Sequence, residues 1–227
     1  KIIETIIANN NLIIYTNAGT DPYTDNNAFA LIGEVQTDID TKIGSGNYDI
    51  GHVFSTGGGG LAGLGVVCIN GQKGRGVTGS ANPQGDAYDI DYVAHEMGHQ
   101  FSGNHTFNNS CVGNRNGGTA MEPGSGSSIM AYAGICAPNV QSNSDALFHG
   151  VSLGEIGAFI TGTGDGCPVK TALANTAPSI TGSTGNITIP QGTPFALTLV
   201  ATDPDANTLS YTWEQMDNQV STQSPVG

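Results

Sequence analysis

The sequence predicts a mixed α/β (α+β) domain over residues 1–168, a linker over 169–178 and a short all-β segment over 179–227. Three observations carry this. Two stretches repeat apolar residues at helical spacing. The runs around them are short, β-rich and bounded by glycine. Composition then shifts after Cys167, where "KTALANTAPS" gives way to alternating polar and apolar residues.

Taken in order, Ile2–Ile7 and Leu12–Tyr15 read as strands, and "TDPYTDNN" supplies turn and capping residues. From Asn27 to about Ile43, the positions Ala28, Leu31, Ile32, Val35 and Ile39 mark a helix. "GHVFST" and "GLAGLGVVCI" are strand candidates next to the glycines at 57–60. "AYDIDYVAHEMGHQF" is a second helix, which Gly103 should end with a positive φ. Residues 106–150 are rich in Gly, Ser and Asn and read as ordered loop. Ser152 and Glu155 form a capping box for a short last helix, "LGEIGAFI". Beyond the linker, "NITIP", "FALTLVATD" and "LSYTWEQM" read as strands, with Leu209, Tyr211 and Trp213 on one face of the last. Against about 100 residues for a complete immunoglobulin-like sandwich, that module is partial.

Composition removes whole classes of partner. Six Lys and Arg against nineteen Asp and Glu give a formal charge of −13, which repels nucleic acid and anionic membranes. The longest apolar stretch, 61–69, is too short to span a bilayer, so no membrane insertion is expected. The chain opens on an apolar segment without a basic leader, which implies that an export signal is absent or already removed. Cys68, Cys111, Cys136 and Cys167 contain no CxxC pair, and an even count reads as two disulfides in an exported protein. The glycine clusters at 57–60 and 71–76 lack the Lys-Ser/Thr ending of a phosphate loop.

The chemistry concentrates in "AHEMGHQFSGNH", which holds three of the five histidines. His95 and His99 lie four apart on a helix, so both rings project from one face and can share a cation. Glu96 is offset by about 100°, which aims its carboxylate at a metal-bound water and not at the metal. A turn at Gly103 would return His105 as third ligand. Three neutral imidazoles leave a fourth position open, as catalytic zinc requires. His52 and His149 lie off this spacing and read as satisfied core or loop histidines. Asp203, Asp205 and Asn207 offer a calcium site, although turn chemistry explains the same residues.

The full H-E-x-x-H-x-x-G-x-x-H pattern resembles that of the metzincin metallopeptidases. The resemblance implies a metzincin-like catalytic domain with a mixed twisted sheet and an active-site helix. It also implies a methionine turn below the zinc, and "SSIMAYAG" supplies Met130. Tyr132, two residues on, resembles the tyrosine of astacin- and serralysin-type members, which implies a donor to the oxyanion; a packing role for the same ring is the alternative. "GLAGLGVVC" and the cysteine placement are more similar to the reprolysin (adamalysin) branch. That branch implies a substrate-pairing edge strand at Ala62, Gly63, Leu64 and Gly65, residues that equally fit a tightly packed inner strand. It also implies the disulfides Cys68–Cys167 and Cys111–Cys136. Two departures stand out: Thr106 occupies the place of the usual Asp, and the first strand and helix are short. The C-terminal module resembles immunoglobulin-like and cadherin-like sandwiches.

The implied function is a secreted, monomeric zinc endopeptidase acting on polypeptides, with Glu96 activating the zinc-bound water and calcium as a possible second cation. The alternative is a catalytically weak, metal-binding adhesion or surface-binding protein. Retention of Glu96 beside the ligands separates the two, because a metal site without catalysis has no use for a base.

Overall fold

A computed structural model of the chain describes residues 10–218. The strand expected at Ile2–Ile7 lies outside the described residues. The chain divides into two compact units, residues 1–168 with 214–227, and residues 169–213.

The first unit is built on helix α1 (Ala28–Lys42) and a three-stranded sheet. Asn27 caps α1 by accepting the Ala30 N–H at 3.2 Å. Leu31, Ile32, Val35 and Ile39, on one face, are buried. Leu31 and Ile32 pack on Val77, with Tyr23, Val53 and Leu61 around them. Each such buried side chain contributes roughly 1.5–3 kcal/mol of transfer free energy. The sheet order is β1 (Val53–Ser55), β3 (Gly76–Gly79), β2 (Gly59–Ala62). β3 runs parallel to β1 and antiparallel to β2, so the sheet is mixed, and among the described residues β2 has a free edge.

Several local expectations are corrected. Leu12–Tyr15 is not a strand; Asn10–Leu12 is a 3-10 turn, and the segment is held by Tyr15, whose hydroxyl donates to Asp38 of α1 at 2.6 Å. The strand read across 60–69 stops at Ala62, because Gly65 and Val66 turn away to bond the His99 and Gln100 carbonyls. β3 escaped the sequence reading: it has four residues, two of them glycine, and burial along its whole length erases alternation.

The second helix is continuous but not uniform. It runs through α2 (Asp86–Tyr88), a π-helical segment (Asp89–Ala94) and α3 (His95–Gln100). The last helix, α4 (Gly150–Ile160), has His149 as its N-cap, whose Nδ1 accepts the Val151 N–H at 3.2 Å. Ser152 is therefore inside the helix, with its hydroxyl buried, and Glu155 is free of capping and bonds elsewhere. Cys68 is bonded to Cys167 and Cys111 to Cys136. Among the described residues no helix is long and apolar enough to cross a membrane.

The unit at 169–213 contains one antiparallel pair, β4 (Ser179–Ser183) and β5 (Leu199–Thr202), with a bulge between Ile180 and Gly182. Of the three strands expected here, "FALTLVATD" forms strand only at β5, with one further bond from the Thr184 N–H to the Thr198 carbonyl; "NITIP" and "LSYTWEQM" form no strand. Tyr211 and Trp213 are both exposed, so the alternation has no packed face to serve.

Candidate metal centre

The site begins with how α3 ends. The chain leaves it through a Schellman turn: the Gly103 N–H donates to the Gly98 carbonyl at 2.8 Å and the Ser102 N–H to the His99 carbonyl at 2.8 Å. The left-handed residue is Ser102, with φ 75°, and not Gly103 as the sequence suggested. Glycine at 103 relieves crowding instead, since a Cβ there would lie a tight 3.0 Å from the Gly98 carbonyl oxygen. This tight turn swings the chain back so that His105 joins His95 and His99.

The three rings converge through one kind of atom. Nε2 of His99 lies 3.1 Å from Nε2 of His95 and 3.0 Å from Nε2 of His105. Every Nδ1 meets a backbone carbonyl: His95 that of Ile129 at 2.7 Å, His99 that of Gly103 at 2.7 Å, and His105 that of Asn114 at 2.6 Å. A carbonyl only accepts, so each Nδ1 carries the proton and each Nε2 presents a lone pair. Lone pairs this close repel unless a cation sits among them. A tetrahedral zinc with bonds of about 2.0–2.1 Å holds its nitrogens about 3.3 Å apart, so the donor set fits. The carbonyls act as the orienting outer partners that metal-binding histidines need.

Electrostatics point the same way. Burial, then the neighbouring His99 and His105, hold His95 well below the ordinary imidazole range. Burial, then His105, lowers His99 to about 4, and burial also lowers His105. The neutral, ligating form is therefore favoured. Burial pushes Glu96 up to about 8; a dication beside it would pull the other way.

Glu96 is only 8% exposed and lies directly against β2. A Cβ on Gly60 would stand 2.2 Å from its Oε1, so only glycine allows that approach. Ladder alternation points the backbone groups of Gly60 and Ala62 away from β3 and toward the free edge, because Gly63 donates to Arg75 at 2.9 Å. Gly63 and Gly65 spend their N–H groups internally, and they and Leu64 lie in the turn after β2. The free edge is thus Gly60–Ala62 and not Ala62–Gly65. Sequence reading missed Gly60 within a run of four glycines that gave no means of choosing among them.

Met130 is fully buried beneath α3, with its sulfur so close to Gly98 that a Cβ there would meet it at 2.4 Å. The Tyr132 ring lies 4.7 Å from that of His105 and 5.5 Å from that of His95. Its hydroxyl pKa is raised by burial and by the Glu96 charge. His52 stands apart: it bridges the Gln100 side-chain amide oxygen and the Thr78 hydroxyl, each at 2.8 Å. Asp203 accepts the Asp205 N–H at 2.8 Å and the Asn207 N–H at 3.3 Å, the turn chemistry of that segment. Among the described residues the three histidines form the one metal-ready cluster.

The profile of metallopeptidase family M12B, reprolysin-like, matches residues 3–157, which is more than half of the chain. No curated protein matches the chain.

Proposed function

Since the chain belongs to the reprolysin-like metallopeptidases of family M12B, we propose that it is a secreted zinc endopeptidase in which His95, His99 and His105 hold the ion. The observation that carries this reading is the convergence of three Nε2 lone pairs, each fixed by an Nδ1–H donated to a carbonyl. Bound zinc would supply Lewis acidity toward water and a substrate carbonyl.

The remaining work falls to the chain itself. Gly60 and Ala62 pair an extended polypeptide through backbone groups, which binds without selecting side chains. Glu96, pressed against Gly60, takes the proton of the attacking water and returns it to the leaving amine. Tyr132 donates its hydroxyl hydrogen to the carbonyl oxygen as negative charge grows there. The burial of Glu96 helps to exclude bulk water from the proton's path.

Two disulfides fit an extracellular protein. We assign residues 1–168 to the peptidase, 169–178 to a linker and 179–227 to a partial sandwich module, a reading supported in part by the β4–β5 pair.

The test is to load the protein with one equivalent of zinc, offer denatured polypeptide, and map the cut sites by mass spectrometry. Cleavage that a chelator abolishes and zinc restores is the expected result. Stoichiometric zinc with no cleavage of any polypeptide would favour the adhesion reading.

A further inference from the structure

A buried carboxylate takes no part in the chemistry above. Glu122 is 7% exposed, and its side chain is gripped by hydroxyl and backbone donors. Oε1 accepts the N–H of Ser127 at 2.8 Å and of Ser128 at 3.0 Å, and Oε2 accepts the Ser128 hydroxyl at 2.6 Å. The Thr106 hydroxyl donates to the same Oε2. Its backbone is tied to the same place: Glu122 N–H donates to Thr106, and Asn108 N–H to Glu122, both at 2.9 Å.

These donors converge on one carboxylate from two segments that each adjoin a histidine of the cluster. Thr106 follows His105, and its N–H reaches the Met130 carbonyl at 3.2 Å. Ser128 precedes Ile129, whose carbonyl orients Nδ1 of His95. One acceptor-only group thus fastens the chain leaving the third ligand to the turn that aims the first. Burying a charge is costly unless its lone pairs are filled, so the site holds together only with all these donors in register.

We propose that Glu122 is a positioning residue for the metal, fixing the relative placement of His95 and His105 through Ser128 and Thr106. The inference rests on the reading that the three imidazoles hold zinc.

The experiment compares wild type, Glu122→Ala, Glu122→Gln and Thr106→Val by chelator competition for zinc and by the visible spectrum of the cobalt-substituted proteins. Loss of an outer partner of this kind typically costs 10–100-fold in metal affinity, and Glu122→Ala should fall in that range with an altered cobalt spectrum. Thr106→Val, which removes one donor, should lose about tenfold, the lower end of that range. Glu122→Gln should recover most of the affinity, because its oxygen can accept the two N–H groups while its NH₂ faces hydroxyls that rotate. Wild-type zinc affinity and cobalt spectrum in a folded Glu122→Ala, with only a lowered melting temperature, would reduce Glu122 to a structural residue and overturn the proposal. If that variant fails to fold, wild-type affinity in Thr106→Val overturns it equally. A wild-type chain that binds no zinc defeats the metal reading and this role together, a result distinct from both.

Discussion

His95 and His99 reach the metal centre from one turn of helix, whereas His105 reaches it from irregular chain just before the Cys111–Cys136 disulfide. On the helix, spacing alone puts both rings on one face. On the loop side no repeat does this, and contacts distant in sequence replace it. His105 needs the Asn114 carbonyl for its Nδ1, nine residues away, and Thr119 donates to its own carbonyl at 2.6 Å. Glu155 on α4 clamps Asn104 by accepting its N–H at 2.8 Å and its Nδ2 at 2.7 Å. The helix fixes the spacing of its two ligands by itself, so loss of its tether to the sheet should leave the metal site nearly intact, although His95 still takes its orienting carbonyl from the distant Ile129. The loop ligand has no such local support.

The largest effect tests the helix half alone. Glu96→Ala removes no ligand and no carbonyl that orients one, so zinc should remain stoichiometric. Turnover should fall by about 10²–10⁴-fold, the usual cost of a lost general base. Steady-state cleavage with metal analysis on the same sample checks both halves of that statement, and near-normal turnover would break the mechanism.

Next comes the loop half, through Tyr132→Phe. Removing only the oxygen leaves the ring packed between His105 and Phe107, at 4.7 and 4.5 Å. An oxyanion donor is worth about 10²–10³ in kcat, with KM little changed. An unchanged kcat with zinc bound would identify a packing tyrosine instead.

A matched pair of remote variants addresses the comparison directly. Glu155→Ala frees Asn104 and should weaken zinc by about tenfold, the lower end for an outer partner. Gln100→Ala removes the helix half's tether, which donates to the Gly51 carbonyl at 2.9 Å and accepts from His52. It should cost about 1–3 kcal/mol of stability through unpaired buried groups, yet leave zinc affinity nearly intact. Equal zinc loss in the two variants would mean that helix and loop ligands are not held differently after all.

The same contrast explains what the sequence made legible. Helix α1 and the convergence of the histidines follow from periodicity and spacing, which are local; the place of Met130 is what the family resemblance implies. Family resemblance, and not spacing, suggested the disulfide pairing. The strand edge at Gly60–Ala62 lies two or three residues before the one the resemblance implies, because "GGGGLAGLG" offers no side-chain pattern to locate it. The spacing of Glu155 to Ser152 mimics a capping box, and only the tertiary fold brings Glu155 to Asn104. The residues at 169–213 mark the limit from the other side. Their alternation reads as several strands, yet none of them is buried and only β4 and β5 pair. Alternation records a potential face; a strand also needs a neighbour to bond.

The smallest expected effect is a pH dependence of the helix tether. Gln100 presents its side-chain amide oxygen to Nδ1 of His52, so that nitrogen carries the proton and Nε2 accepts from Thr78. A second proton would fall on Nε2 and displace the Thr78 bond. Burial accordingly lowers the His52 pKa below its usual 6.5, with the Gln100 bond opposing in part. As pH falls below that value, the unfolded chain takes up a proton that the folded chain refuses, so stability falls with pH; well above it the effect vanishes. From pH 7 to 6 the loss is at most about 0.7 kcal/mol for one such group. Zinc-loaded wild type and His52→Gln, unfolded by denaturant at both pH values, isolate that contribution because the metal keeps the ligand histidines from titrating in the folded state. The variant should be less stable overall but less sensitive to acid. Parallel pH dependences would show that His52 takes up its proton as readily in the folded chain, and the tether would then carry no such linkage.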